Sequence, residues 1–183
     1  MFLPPYIQHN SSARDGFGDM ATIVKYRIAS GIAKKGNYDV AAILNHTSAT
    51  GSYKNGAVTD SYGPAIAAAK AFRRFDVIGS LGGTMPTGKI ATQGRSIAWN
   101  TVIQTHITRP LWVELENNSV FCFAGKNDGK MQNFLTPTAF YVVRRKEWKP
   151  SHALFIVDSG MQIATSHFHT YNHNLVSELR MLF

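Results

Sequence analysis

The stretch from residue 97 to residue 158 constrains the fold more than any other part of the sequence. It consists of short runs rich in β-branched and aromatic residues, and turn residues such as Asn117-Asn118 and Asn127-Asp128-Gly129 separate the runs. This pattern is typical of antiparallel sheet. The stretch therefore predicts consecutive short strands, and it carries no complete catalytic or binding signature.

The length of 183 residues is enough for one domain with a substantial core. We expect an α+β fold that is mainly antiparallel β-sheet, sandwich or barrel-like, with one or two packed helices and extended terminal arms. Residues 1–20 are expected to form an extended N-terminal arm, and residues 21–183 a single mixed α/β domain. The Asn55-Gly56 pair predicts a projecting hairpin or loop near residues 47–62.

The best helix signal covers residues 64–75. Pro64 suits a first helical turn, five alanines follow within seven residues, and basic residues lie near the end of the segment. Leu175, Leu179 and Leu182 would share one face of a short C-terminal helix. These patterns predict helices that pack on the sheet.

Residues 21–35 fit two interpretations. Val24, Ile28 and Ile32 recur at a spacing of four, and Gly36 suits the end of a helix. Against this, Val24, Tyr26 and Ile28 also alternate with basic residues, as they would in a strand. The helix is the favoured prediction for this segment.

The composition favours a protein that is covered by other protein. Only 16% of the residues are charged, so the exterior must be built largely from uncharged polar side chains, which are common in subunits that bury their surface against neighbours. A monomer with an uncharged polar coat is the alternative. The net charge of +8 favours an acidic partner or nucleic acid.

The basic residues cluster at one place, where Arg144, Arg145, Lys146 and Lys149 surround Trp148. These cations could contact the phosphates of a nucleic acid while the indole stacks on a base. A solvated strand end is the simpler interpretation of such a short patch.

Targeting and redox signals are absent from the sequence. The N-terminus lacks the basic and long apolar regions of a signal peptide, and no run approaches the roughly 18 apolar residues of a membrane helix. Cys122 is the only cysteine, so an internal disulfide is impossible. We expect no transmembrane segment, no membrane partner, and a location in a virion or in host cytoplasm before assembly.

Histidines supply the one candidate metal site. His167 and His169 would face the same side of a strand, and His173 could turn back toward them as a third zinc ligand. The segment from Asn45 to Thr50, together with residues 171–174, resembles parts of phage-type zinc N-acetylmuramoyl-alanine amidases, and the resemblance implies that His46 is a metal ligand. Surface histidines in a turn are the simpler interpretation.

One glycine-rich segment matches part of the sequence motif of a phosphate-binding loop. Residues 83–89 fit the G-x-x-x-x-G-K spacing, but Ile90 stands where a magnesium-binding Ser or Thr is needed. The segment therefore predicts an ordinary connection between strands.

Each catalytic hypothesis requires a residue that the sequence lacks. The hypothesis that does not is a non-enzymatic structural subunit of a large homo-oligomeric particle, such as a virus or phage capsid, connector or tail. Its partners would be copies of itself and neighbouring structural proteins, and it would need no cofactor. Assembly contacts are assigned to the apolar ends: Phe2, Leu3, Tyr6, Leu182 and Phe183. The alternatives are an amidase-like zinc hydrolase and a basic nucleic-acid-binding module.

Overall fold

The computed structural model describes residues 4–9, 12–32, 36–144 and 154–182, and one antiparallel sheet dominates them. Its nine strands follow chain order across the sheet, so each strand pairs with its neighbours in sequence. The strands are β3 (Met20–Gly31), β4 (Tyr38–Ser48), β5 (Ser61–Ala71), β6 (Phe75–Pro86), β7 (Arg95–His106), β8 (Leu111–Ala124), β9 (Met131–Arg144), β10 (Leu154–Ala164) and β11 (His173–Leu182).

Small elements complete the described structure. Two short strands, β1 (Tyr6–Ile7) and β2 (Gly16–Phe17), form a separate two-stranded sheet. One helical turn, α1 (Ile90–Gln93), lies between β6 and β7, and 3₁₀ turns occupy residues 52–54 and 125–127. The prediction of a mainly antiparallel sheet is confirmed.

The sheet strands are long for a globular domain. Each has 10 to 14 residues, whereas about five or six is the common length. Pairing is regular over most of this length, and a bulge in β3 inserts Ile28 between Arg27 and Ala29. Long regular hairpins of this kind align nine strands side by side.

The helix predicted over residues 64–75 is wrong, because residues 61–71 form β5. Alanine has high helix propensity, but both edges of this segment pair with neighbouring strands and its small side chains alternate with larger ones on the other face. Pro64 lacks an N–H group, and the pairing with β6 is interrupted at Gly63 and Pro64 without a change of register. Sheet pairing therefore overrides the local preference.

The two other helix predictions are also wrong. Residues 20–31 form β3, so the alternation of Val24 and Tyr26 with basic residues, rather than the spacing of four, reports the structure. Residues 173–182 form β11, which pairs with β10 along its length. The expected packed helices are not confirmed in the described part of the chain, where α1 has only four residues.

The described residues enclose little hydrophobic core. Phe134 and Phe140 are the buried apolar side chains, with exposed fractions of 3% and 9%, and Ser61, Thr136 and Asp158 are buried polar ones. The nine strands form one layer, and no second sheet or long helix among the described residues packs on it. Most side chains on the two faces of this layer are therefore only partly buried or are exposed.

The N-terminal segment forms hydrogen bonds with the connection between β4 and β5 at one end of the sheet. Asp19 accepts hydrogen bonds from the backbone N–H groups of Gly51 (2.8 Å) and Ala57 (2.6 Å). The Ser52 hydroxyl accepts a bond of 2.9 Å from the N–H of Phe17. These contacts order residues 49–57 against β2.

Candidate functional site

One face of the sheet is apolar and uncovered in every strand, and we call it the apolar face. For example, Val77, Ile103, Leu115 and Pro137 are consecutive cross-strand partners on it. Its exposed large side chains include Val24, Tyr26, Tyr38, Leu44, Tyr62, Ile66, Phe75, Leu81, Met85, Ile97, Trp99, Ile103, Val113, Leu115, Phe121, Met131, Tyr141, Val143, Val157, Met161, Ile163, Leu175 and Leu179.

The exposure of this face is extreme for apolar side chains. Tyr26, Trp99 and Leu179 are 72%, 63% and 69% exposed. Single exposed apolar residues are ordinary on soluble proteins, but a patch larger than a few hundred Å² marks an interaction surface. An apolar patch that crosses nine strands indicates that the protein lies against an extended apolar environment.

Charged side chains on the apolar face lie only at strand ends in the described strands. Lys70 is the next-to-last residue of β5, and Arg95 is the first residue of β7. Two histidines lie near strand ends as well, His46 in β4 and His173 at the start of β11. The central band of this face is therefore free of Asp, Glu, Lys and Arg.

The opposite face, which we call the polar face, carries the charges of the strands. Among side chains that the structure describes, six carboxylates and three cations lie on it, together with amides and many small residues. The charged members are Lys25, Arg27, Asp39, Asp76, Glu114, Glu116, Asp158, Glu178 and Arg180. Charge and apolar surface are thus separated by the sheet itself.

Hydrogen bonds and ion pairs connect the charges of the polar face. Arg180 donates to Asp158 at 2.7 Å, and its Nε lies 3.7 Å from a Glu178 oxygen. Asp158 is only 7% exposed, so its carboxylate depends on this guanidinium. Near the opposite edge of the sheet, and also on the polar face, Arg27 lies 3.2 Å from Asp39.

The polar face is the concave one. A Cβ added to Gly82 on this face would lie 2.7 Å from the Ala65 Cβ, and one added to Gly160 would lie 2.3 Å from the Thr138 hydroxyl oxygen. A Cβ added to Gly79, on the apolar face, would meet nothing within 4 Å. The two apolar side chains that are buried, Phe134 and Phe140, also lie on the polar face.

Curvature of this kind makes a prediction about glycines. Gly82→Ala should lower the free energy of unfolding by about 1–2 kcal/mol, because its methyl group is forced against β5. Gly79→Ala should be neutral or stabilising by up to about 1 kcal/mol, because alanine reduces the entropy of the unfolded chain. Urea unfolding followed by circular dichroism measures both, and equal costs for the two variants would contradict the assigned curvature.

Small residues of β5 to β7 leave a groove on the polar face. A cavity of about 210 Å³ is lined there by polar groups that include Asn45, Ser61, Ser80 and Asn100. One of its atoms, Asn45 Oδ1, is buried without a hydrogen-bond partner. The groove is suited to water and small polar solutes.

Polar groups on the apolar face satisfy one another. The Trp99 indole N–H donates to the Thr101 hydroxyl at 3.1 Å. Asn117, Ser119 and Asn133 form a closed set of side-chain hydrogen bonds between 2.6 and 3.1 Å. These hydrogen bonds reduce the need of these groups for hydrogen bonds from solvent.

The structure separates the histidines that were assigned to a zinc site. His46 lies in β4, where it stacks on Tyr62 and approaches Asp60 at 3.4 Å. His167 and His169 lie in the connection between β10 and β11, and His173 begins β11. Five strands separate β4 from β10, which corresponds to about 29 Å along the sheet.

The connection between β10 and β11 uses its polar groups locally. Both ring nitrogens of His169 have partners at 2.8 Å, the Ser166 carbonyl oxygen and the Asn172 side-chain oxygen. Tyr171 stacks on Phe134, and burial raises the pKa of its phenol. No group of three or more metal-ligating side chains is found in the part of the chain that the structure describes.

The remaining predicted contact residues lie at the margins of the described structure. Arg144 ends β9, whereas Arg145, Lys146 and Lys149 lie outside the described residues, as do Phe2, Leu3 and Phe183. Tyr6 begins β1 and contacts Phe17 edge to face, with 5.4 Å between the ring centres. Leu182 ends β11.

Comparison with known proteins identifies no relative. No family model, no curated protein and no solved structure matches the chain significantly. Among the described residues, no helix has the length and apolarity required to cross a membrane. The two faces of the sheet are thus the main evidence on function.

Proposed function

We propose that the chain is a membrane-embedded β-sheet, with its apolar face against lipid hydrocarbon and its polar face lining an aqueous path for small polar solutes. The observation that carries the proposal is the apolar face, which is continuous over nine strands and has charges only at strand ends. Alternation of apolar outward and polar inward residues is the pattern of membrane-spanning strands.

The length of the strands supports this environment. An 11-residue strand such as β5 is about 36 Å long at roughly 3.3 Å per residue. Tilted by about 40°, it spans about 28 Å, which is close to the hydrocarbon thickness of a bilayer. The ends of the strands, where Lys70 and Arg95 lie, would then reach the headgroups.

Curvature favours lipid over a protein partner as the occupant of the apolar face. Lipid chains are fluid and adapt to a convex surface. A protein partner would need a matching concave surface across all nine strands. The concave side holds the carboxylates and the polar groove, which need water. The assembly hypothesis assigned protein contacts to the chain ends and gave no role to the apolar face.

Two tryptophans on opposite faces provide the test. With Trp148 replaced by Phe, a W112F variant retains Trp99 on the apolar face, and a W99F variant retains Trp112, which stacks on Phe140 on the polar face. In vesicles that contain lipids with brominated acyl chains, we expect strong quenching of Trp99 fluorescence and weak quenching of Trp112. Failure of the protein to float with vesicles, or equal quenching of both indoles, would refute the proposal.

A further inference from the structure

We propose that β3 of one copy pairs in parallel with β11 of a second copy, with Lys25 level with Glu178. This inference rests on the proposed function, because a bare sheet edge is far more costly in lipid than in water. It names the partner that the sheet needs: another copy of this chain, joined head to tail.

The sheet has two open edges. Among the described residues, β3 pairs only with β4 and β11 pairs only with β10, so each outer strand has backbone N–H and C=O groups without a strand partner there. Neither strand contains a proline, so every residue of both can take part in a ladder. The bulge at Ile28 leaves residues 20–27 as the regular part of the β3 edge.

The directions of the two edge strands allow every copy in a ring to make the same contact with the next copy. In an antiparallel meander of nine strands, the first and the ninth point the same way. Copies related by rotation about the membrane normal would therefore place β11 of one beside β3 of the next in parallel, with all copies in one orientation. Such a contact forms a closed ring when the rotation closes.

Side chains at the two edges are complementary. Lys25 is the sixth residue of β3 and Glu178 the sixth of β11, and both lie on the polar face. With these two residues level, Val24 and Tyr26 fall on the same side as Leu179, so the apolar face continues across the junction. Opposite charges on neighbouring strands stabilise their pairing.

The carboxylate of Glu178 remains available to a second cation. Its contact with Arg180 is 3.7 Å long, whereas Arg180 binds Asp158 at 2.7 Å. Lys25 has no ion-pair partner among the described residues and lies on an exposed edge. A lysine of the neighbouring copy can therefore complete the Glu178 site.

Cysteine cross-linking tests the pairing. Cys122→Ser removes the natural thiol, and two chains are then made, one with Lys25→Cys and one with Glu178→Cys. After co-insertion into vesicles and mild oxidation, we expect a disulfide-linked dimer in the mixture and at least about a tenfold smaller yield with either chain alone. Ala98→Cys, on the polar face of the central strand β7, is the matched control and should give no dimer with either chain.

Charge reversal provides a second, reagent-free measurement. In the natural chain, Lys25→Glu and Glu178→Lys should each lower assembly in lipid by roughly tenfold, and the double variant should restore it, because the cost comes from like charges at one contact. Lowered assembly that the double variant does not restore would contradict the assigned contact.

The quenching of Trp99 by brominated lipid, measured on the same samples, separates the two proposals. Quenching without a mixed dimer overturns the pairing and leaves the membrane proposal standing. A mixed dimer without quenching overturns the membrane proposal. A cross-link within one chain that carries both cysteines, with no dimer, would show that the edges meet inside a single copy and would also overturn the pairing between copies.

Discussion

Replacing Ile103 with arginine is expected to destabilise the inserted protein by about 1–3 kcal/mol, the cost of a cation on the lipid-facing side at a depth between the bilayer midplane and the interface. Ile103 lies in the interior of β7 on the apolar face, between Val77 and Leu115. Three residues separate Ile103 from the end of β7, so the guanidinium would still lie in the hydrocarbon unless the side chain extends toward that end. Urea unfolding in short-chain lipid vesicles measures the effect.

Gln104→Arg is the matched control, one residue away and on the opposite face. Gln104 donates to Asp76 at 3.2 Å and lies opposite Glu114, so an arginine there meets two carboxylates. We expect a change within about 0.5 kcal/mol or a small gain. The pair of variants thus compares one charge on two faces of one strand.

The same pair distinguishes lipid from water around the apolar face. Ile103 is 50% exposed, and substitutions at exposed positions in water usually change stability by less than about 0.5 kcal/mol. A small and equal effect of Ile103→Arg and Gln104→Arg would mean that the free protein keeps its apolar face in water, awaiting a protein partner. A large effect confined to Ile103→Arg supports lipid.

Sequence reasoning identifies the strands where local preference and pairing agree. β7 contains many β-branched and aromatic residues, and it was predicted. The turn predicted at Asn117-Asn118 is wrong, because both residues lie inside β8 and pair with strands on both sides. Sequence reasoning also fails for β5, where alanines prefer a helix in isolation. Nothing local reports that β4 and β6 pair with both edges of this segment.

The separation of the two faces corresponds to an alternation of apolar and polar residues in the sequence, with a period of two residues. Val24 and Tyr26 alternate with Lys25 and Arg27, and the same alternation continues in the neighbouring strands. Each alternation by itself describes a half-buried strand of any soluble sheet. Only the registers of nine strands show that most of the exposed large apolar side chains share one face, and that no second layer among the described residues covers it.

The expectation of no membrane partner depended on the lack of a long apolar run. Such a run is the signal of a spanning helix, and a strand that is apolar at every second residue does not produce one. The low proportion of charged residues remains informative, because nine strands each contribute one face without charges in its central band. Lipid accounts for that composition as well as protein neighbours do.

Arg180→Gln is expected to lower the free energy of unfolding by about 2–3 kcal/mol, because it leaves the Asp158 carboxylate without its cation. Breaking a fully buried ion pair costs about 3–5 kcal/mol, and the exposure of Arg180, whose side chain is 43% accessible, reduces that cost. Asp158→Asn with Arg180→Gln should recover at least half of the loss, since no charge is then left unpaired. The matched control is Arg27→Gln, which removes the exposed pair with Asp39 and should cost less than about 1 kcal/mol. Urea unfolding in vesicles measures these losses. Equal losses for Arg180→Gln and Arg27→Gln would show that water reaches Asp158 on the polar face, and that the concave face does not bury this carboxylate when the protein is in lipid.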